Sequence, residues 1–259
     1  MNKKQRIIGI LVIGVILLGV MFFQNIKIYG KQFWYPTKQY LAINKNDDIQ
    51  LSLVFVDGKR KAEEVEASLG TIAFLDENGK QYKSKNQKLK VLESNKVYGV
   101  YQIDLQLDKM EIGEYVLNQL ICNGKEYEIG SIVLDVMDGM EDYEFELEMG
   151  PMTFGGTYGF TIKNTTKDTI KVLNLYYDFK GGKKEAIGIN EEVPIGEKKY
   201  FTVDITELYG KNAVLSAYVE LDINGETNNI ILSVPTSSFE GLTKQDILDY
   251  IKEEGKSKK

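Results

Sequence analysis

Residues 113–136 read GEYVLNQLICNGKEYEIGSIVLDV, two strand-like runs on either side of Asn123-Gly124. Asn-Gly suits the two central positions of a type I′ turn, which need positive φ and match the twist of antiparallel strands. The stretch predicts a β-hairpin, and it sets the period for the chain around it. Upstream, IQLSLVFVDG (49–58) places Ile49, Leu51, Leu53 and Phe55 on one face and stops at Asp57-Gly58. GTIAFLDENGKQY (70–82) turns at Asn78-Gly79, and VYGVYQIDLQL (97–107) follows. Between them Lys59 to Leu69 (KRKAEEVEASL) reads as a helical turn or a polar loop. A period of two dominates, which is the period of half-buried strands.

The second half repeats the pattern. GTYGFTIKN (156–164), TIKVLNLYYDF (169–179), KKYFTVDI (198–205), AVLSAYVELDI (213–223) and NNIILSV (228–234) all read as strands, with Gly181-Gly182 and Asn224-Gly225 between pairs. Landmarks recur in one order: FLDENGK (74–80) with YYDFKGGK (176–183), EIGEY (111–115) with PIGEKKY (194–200), ICNGKEY (121–127) with DINGETN (222–228), and IVLDV (132–136) with IILSV (230–234). The fold expected is mainly β, with two tandem immunoglobulin-like β-sandwich domains at 46–138 and 139–238.

Ahead of the strands lies IIGILVIGVILLGVMFF (7–23), with no charged side chain. As a helix it would be about 25 Å long, near the short end of what spans a bilayer. It follows a basic n-region, residues 1–6 with Lys3, Lys4 and Arg6, and no small-x-small cleavage site follows it. The expectation is an uncleaved transmembrane signal anchor, with the lipid bilayer as partner through residues 7–23. The six-residue terminus would stay inside and the rest would be exported, since long domains cross largely regardless of charge. Residues 24–45 then form a juxtamembrane stem, where Trp34 and its aromatic neighbours read as an interfacial belt or as a linker into the first strand.

Net charge is −6, with +3 from residues 1–23 and +4 from residues 24–45, leaving −13 from Asn46 onward. An acidic body argues against nucleic acid as a partner. All but two of the basic residues are lysine, a bias that points to an AT-rich bacterial genome. The lone Cys122 excludes an internal disulfide and reads as a small buried hydrophobe. Together these give a plasma-membrane, single-pass protein of a single-membrane bacterium. Asp135, Asp138, Glu141 and Asp142 could ligate calcium or form a solvated acidic linker; they lack the D-x-D-x-D-G spacing of a wrapping loop.

The stretch FGGTYGFTIKNTTKDTIKVLNLYYDFKGGKKEAIGINEEVPIGEKKYFTVDI (154–205) resembles the FxLYD-type sandwich domains of bacterial envelope proteins. The counterparts are Asn164-Thr165-Thr166, Tyr176-Tyr177-Asp178 with Gly181, and Pro194-Ile195-Gly196-Glu197, in which Ile195 departs from the usual turn. The resemblance implies an extracytoplasmic accessory or interaction module and carries no catalytic residues.

GLTKQDILDYIKEEG (241–255) predicts a short amphipathic C-terminal helix over 242–255, leaving 256–259 as a tail. Thr243 is the N-cap with Asp246 at N3, Leu242 and Ile247 occupy the hydrophobic-staple positions, and Gly255 is the stop. Ile247, Leu248 and Ile251 fall on one stripe. So short a helix needs something to pack on, either the second sandwich or the groove of a protein partner in the envelope.

The chain has no histidine, which removes Ser-His-Asp and Cys-His hydrolysis and histidine zinc sites. No P-loop or G-x-G-x-x-G is present, so no cofactor is expected. A binding role as an accessory subunit is expected over catalysis. The alternatives are a wall-polymer or adhesin module using Tyr98, Tyr101 and Tyr218 on an open face, and a two-carboxylate glycosidase.

Overall fold

The computed structural model describes residues 28–58, 62–94, 98–140, 143–149, 157–180, 183–204, 213–232, 236–237 and 242–257. The chain is mainly β. Its first half supplies β1 (Gln32–Tyr35), β2 (Thr37–Asn44), β3 (Ile49–Asp57), α1 (Ala62–Ser68), β4 (Ile72–Asp76), β5 (Gln81–Ser94), β6 (Gly99–Leu107), β7 (Gly113–Cys122) and β8 (Lys125–Met137). The second half supplies β9 (Glu146–Met149), β10 (Thr157–Lys163), β11 (Ile170–Lys180), β12 (Lys183–Val193), β13 (Lys198–Asp204), β14 (Ala213–Ser216), β15 (Tyr218–Ile223), β16 (Glu226–Ile231) and β17 (Thr236–Ser237), then α2 (Lys244–Ser257).

The two halves share one strand order. In the first, β1-β3-β6 is one run and β5-β4-β7-β8 the other; in the second, β9-β10-β13 matches the former and β12-β11-β15-β16 the latter. Every one of these pairings is antiparallel. The β4–β5 hairpin corresponds to β11–β12 and β7–β8 to β15–β16, the relationship expected from the recurring landmarks. Asn123-Gly124 and Asn224-Gly225 close the latter two with φ of 54°, 71°, 56° and 81°, as a type I′ turn requires. Gly181-Gly182 lies outside the described residues.

In the first sandwich β5 changes sheets, its start (81–83) pairing with β4 and its remainder with β6. The buried faces enclose Trp34, Phe74, Tyr101 and a set of Ile and Leu side chains. The second core gathers Phe160, Ile162, Val172, Leu175, Val219 and Leu221.

The two sandwiches are joined along β2 and the second half of β8 (132–137), which bury both of their faces. Leu41, Ile132 and Leu134 enter the first core, while Tyr40, Ala42, Val133 and Met137 enter the second. β2 runs parallel to β8 from Thr37↔Gly130 onward. At Gly130 (φ +89°) a Cβ would sit 2.2 Å from the Thr37 carbonyl oxygen, so only glycine lets the ladder begin there. On its other side β2 pairs, again in parallel, with β14 of the second half. After Ala217 the same run of chain becomes β15, a central strand of the second sandwich. One passage of chain, 213–223, thus serves both sandwiches.

Three expectations are corrected. The stem at 24–45 is not a stem over its described part, because residues 32–44 form β1 and β2, and the first sandwich starts before 46. Trp34 is not an interfacial residue: it is 1% exposed and packs 5.0 Å from the Phe55 ring. The span 139–238 is not all second sandwich, since β14 and β17 within it extend the sheet of the first. The anchor at 7–23 lies outside the described residues; among those described, no helix is long and apolar enough to cross a membrane.

Candidate binding site

The C-terminal helix starts as its sequence dictates. Thr243 N–H donates to Asp246 Oδ2 at 2.8 Å and Asp246 N–H to Thr243 Oγ1 at 3.4 Å, the two reciprocal bonds of a capping box. It runs to Ser257, so Gly255 keeps helical backbone and is not the stop. Its stripe is taken up by the chain itself, and by the first sandwich rather than the second. Ile247 is 0% and Ile251 8% exposed, both within the first core, and Leu242, Leu248 and Tyr250 pack against it. Burying two isoleucines stabilises the docked helix by about 1.5–3 kcal/mol each, enough to hold a helix that would be marginal alone. Ile247 and Ile251 of the stripe are therefore core, with Leu248 half-buried against it, and the stripe is not an open partner surface.

Docking the helix creates a concavity. At Pro36 the chain crosses from one sheet of the first sandwich to the other, passing the start of β8. Between that crossing, β8 and α2 lies a groove of about 880 Å³ walled by Phe33, Trp34, Tyr127 and Tyr250 and edged by Glu126, Glu128 and Glu253. The Tyr250 ring lies 5.1 Å from Phe33 and 5.5 Å from Tyr35. All three glutamates are exposed, and no lysine or arginine lines the groove among the described residues. Burial, joined by the carboxylates of Asp246, Glu253 and Asp249, raises the pKa of the neighbouring Tyr35 hydroxyl above its ordinary 10.0. The indole Nε1 of Trp34 is buried and has no hydrogen-bond acceptor among the described residues, an uncommon condition for a buried donor.

A second cleft of about 390 Å³ lies where the sandwiches meet. Leu41, Ile43, Ile230 and Ile231 form its apolar side, and Asp47, Asp48 and Gln50 its polar side. It is braced by its own surroundings: Asn44 Nδ2 donates to the Gly139 carbonyl at 3.1 Å, Met140 N–H to the Asn229 carbonyl at 2.8 Å, and Gln106 Nε2 to Asp48 at 2.7 Å.

The remaining candidates resolve differently. Asp135 is 3% exposed on β8 and accepts the Tyr40 hydroxyl at 2.7 Å. Asp138, by contrast, pairs at the surface with Lys45. Glu141 and Asp142 lie outside the described residues, and among those described no group of acids could hold a metal ion. Asp135 is thus part of the seam and not of a solvated linker. Tyr98, Tyr101 and Tyr218 are buried in the cores, which overturns the expectation of a polymer-binding face built from them. Cys122 is buried beside the Leu69 carbonyl. Asn164-Thr165-Thr166 is a turn, with the Asn164 side chain bonded to Thr166, to the Asp168 carbonyl and to the Val193 carbonyl at the end of β12.

The groove residues went unassigned from sequence. Their only signals were the aromatic run QFWYP (32–36), the alternation KEYE (125–128) and an aromatic one turn beyond Ile247, and nothing in one dimension shows that these converge.

No protein-family model matches the chain, and no curated protein matches it. Among solved structures it is similar to a DUF3823 family protein from Bacteroides ovatus, at 10% identity and a TM-score of 0.29 over 65% of this chain and 88% of that one. It is also similar to the Yersinia pseudotuberculosis adhesin InvE, at 12% identity and a TM-score of 0.20 over 78% of this chain and 59% of that one. A third is the CsuC–CsuE chaperone–tip adhesion subunit pre-assembly complex of Acinetobacter baumannii Csu pili, at 10% identity and a TM-score of 0.22 over 78% of this chain and 98% of that one. At such TM-scores these likenesses carry no argument, and the immunoglobulin-like sandwich rests on the strand order above.

Proposed function

We propose that the chain is a membrane-anchored extracytoplasmic interaction protein, an accessory subunit of a bacterial envelope complex. One juxtaposition carries the reading. The apolar run ends at Phe23 and the body has begun by Ile28, which is fully buried. The few residues between them reach at most about 3.5 Å each, so a body tethered by that run rides on the membrane surface with β1 on the membrane side. The groove beside β1 then faces neighbours in the same bilayer. The resemblance of 154–205 to FxLYD-type domains supports an envelope setting.

Two measurements test this. Ile195→Cys, at a site 59% exposed, in a Cys122→Ala background gives one accessible thiol. Labelling of intact cells by a membrane-impermeant maleimide is expected; labelling only after lysis would overturn the topology. Affinity capture from gently solubilised native membranes, tagged after Lys259, should recover a stoichiometric membrane complex. Recovery of the protein alone after crosslinking would sink the accessory role.

A further inference from the structure

We propose that the groove between β1, β8 and α2 binds an extended, lysine- or arginine-bearing segment of a partner protein. This rests on the reading of the chain as an interaction protein and names the chemistry of what it holds. Two features converge. The walls are aromatic, and a cation over an aromatic face is attracted by the ring quadrupole. The edge carries Glu126, Glu128 and Glu253 with no cation lining the groove among the described residues; Lys125 and Lys252 are their neighbours in sequence but do not line it. The field is negative beyond these three, since Asp246 and Asp249 also act on Tyr35.

The volume suits a peptide better than a single side chain, being near the upper end of the range for drug-sized ligands. Anionic lipid headgroups and anionic wall polymers are disfavoured by the same charge that favours lysine.

Trp34 is the only tryptophan in the chain, so its fluorescence reports on the groove directly. Full-length protein in detergent micelles is titrated at low salt with a ten-residue peptide of alternating lysine and serine. The control is the same peptide with glutamate for lysine. Saturable change in Trp34 emission with the lysine peptide alone, weakening as salt rises, is the expected result. Glu126→Gln, Glu128→Gln and Glu253→Gln together should weaken it about tenfold, the combined effect of three partly exposed pairs. All three sites are exposed, so the variant is expected to fold; its unfolding midpoint checks this.

Equal response to both peptides, no saturable response, an undiminished response in the folded triple variant, or a response only to phosphatidylglycerol vesicles would each overturn the proposal. The native-membrane capture separates this failure from that of the wider reading. A partner recovered equally by wild type and triple variant removes the groove and leaves the accessory role standing. No partner with either removes the role itself.

Discussion

The Tyr40 hydroxyl donates to a carboxylate oxygen of Asp135 at 2.7 Å, with the two side chains 2% and 3% exposed. They lie on neighbouring strands β2 and β8, on the face turned to the second core, so the bond belongs to the seam between sandwiches. Tyr40→Phe keeps the ring and deprives a buried carboxylate of this donor. A loss of about 1.5–3 kcal/mol in urea unfolding is expected, the range for hydrogen bonds to charged groups. A loss under about 0.5 kcal/mol would show the bond to be incidental.

The same pair predicts behaviour in alkali. Burial, with the Asp135 carboxylate next, pushes the Tyr40 hydroxyl well above its ordinary 10.0. The folded chain therefore keeps a proton that the unfolded chain releases. That stability is fully present below about pH 10 and is lost as pH rises further. Unfolding midpoints taken between about pH 8 and 11 should fall more steeply for wild type than for Tyr40→Phe.

Asp76 predicts behaviour in acid. Burial works to raise its pKa, but the N–H groups of Lys80 and Asn78 and the Tyr82 hydroxyl outweigh it and hold the carboxyl below its ordinary 3.8. The bonds measure 2.9, 2.9 and 3.0 Å, and burial with the bond to Asp76 pushes Tyr82 up to about 12. The contribution is present above pH 3.8 and disappears as pH falls through the lower folded value. Asp76→Ala should cost about 2 kcal/mol near neutrality and progressively less in acid. A penalty independent of pH would refute the ionised-acceptor account.

Asn164 is 0% exposed and makes four side-chain bonds. Nδ2 donates to the Asp168 and Val193 carbonyls, both at 2.8 Å, and Oδ1 accepts from Thr166 N–H at 2.9 Å and its hydroxyl at 2.7 Å. Asn164→Ala removes the side-chain donor to the buried Val193 carbonyl and unties the Thr166 turn, while the exposed Asp168 carbonyl keeps the Thr166 hydroxyl; about 3 kcal/mol is expected from chemical denaturation. A change within about 1 kcal/mol would mean that water replaces the side chain.

Truncation after Gly241 should act on the first sandwich. Without α2 the Phe33 and Tyr35 rings lose Tyr250 and the first core loses Ile247 and Ile251. A red shift of Trp34 emission and a lower unfolding temperature are expected. Ile247→Ala alone should cost about 2–4 kcal/mol. Unchanged Trp34 emission after truncation would show that the helix is not part of that core.

Much of the fold was legible because hairpin chemistry is local. Asn78-Gly79, Asn123-Gly124 and Asn224-Gly225 each close the hairpin their sequence predicts, and three of the four recurring landmark pairs mark equivalent strands; EIGEY and PIGEKKY instead open β7 and β13, which are not counterparts. What was not legible is non-local. Thr37–Asn44 buries both faces, so it shows no alternation, and its aromatic approach mimics a membrane belt. Thr243 and Asp246 announce a helix start, but nothing near them specifies which sandwich receives Ile247 and Ile251. The groove is the extreme case: β1, β8 and α2 contribute to it from three distant parts of the chain.

The parallel pairing of β2 with β8 and β14 has a mechanical meaning. On the anchoring proposed above, a pull from the tether would reach β2 through its N-terminal end. A load on the second sandwich reaches β8 and β14 through their C-terminal ends. Strands that run the same way but are tugged from opposite ends are sheared, so their cross-strand bonds resist together instead of peeling one after another. The ladder from Thr37↔Gly130 to Asn44↔Met137 and its shorter counterpart at Ala213–Ser216 form a coupling suited to bearing tension between the two sandwiches.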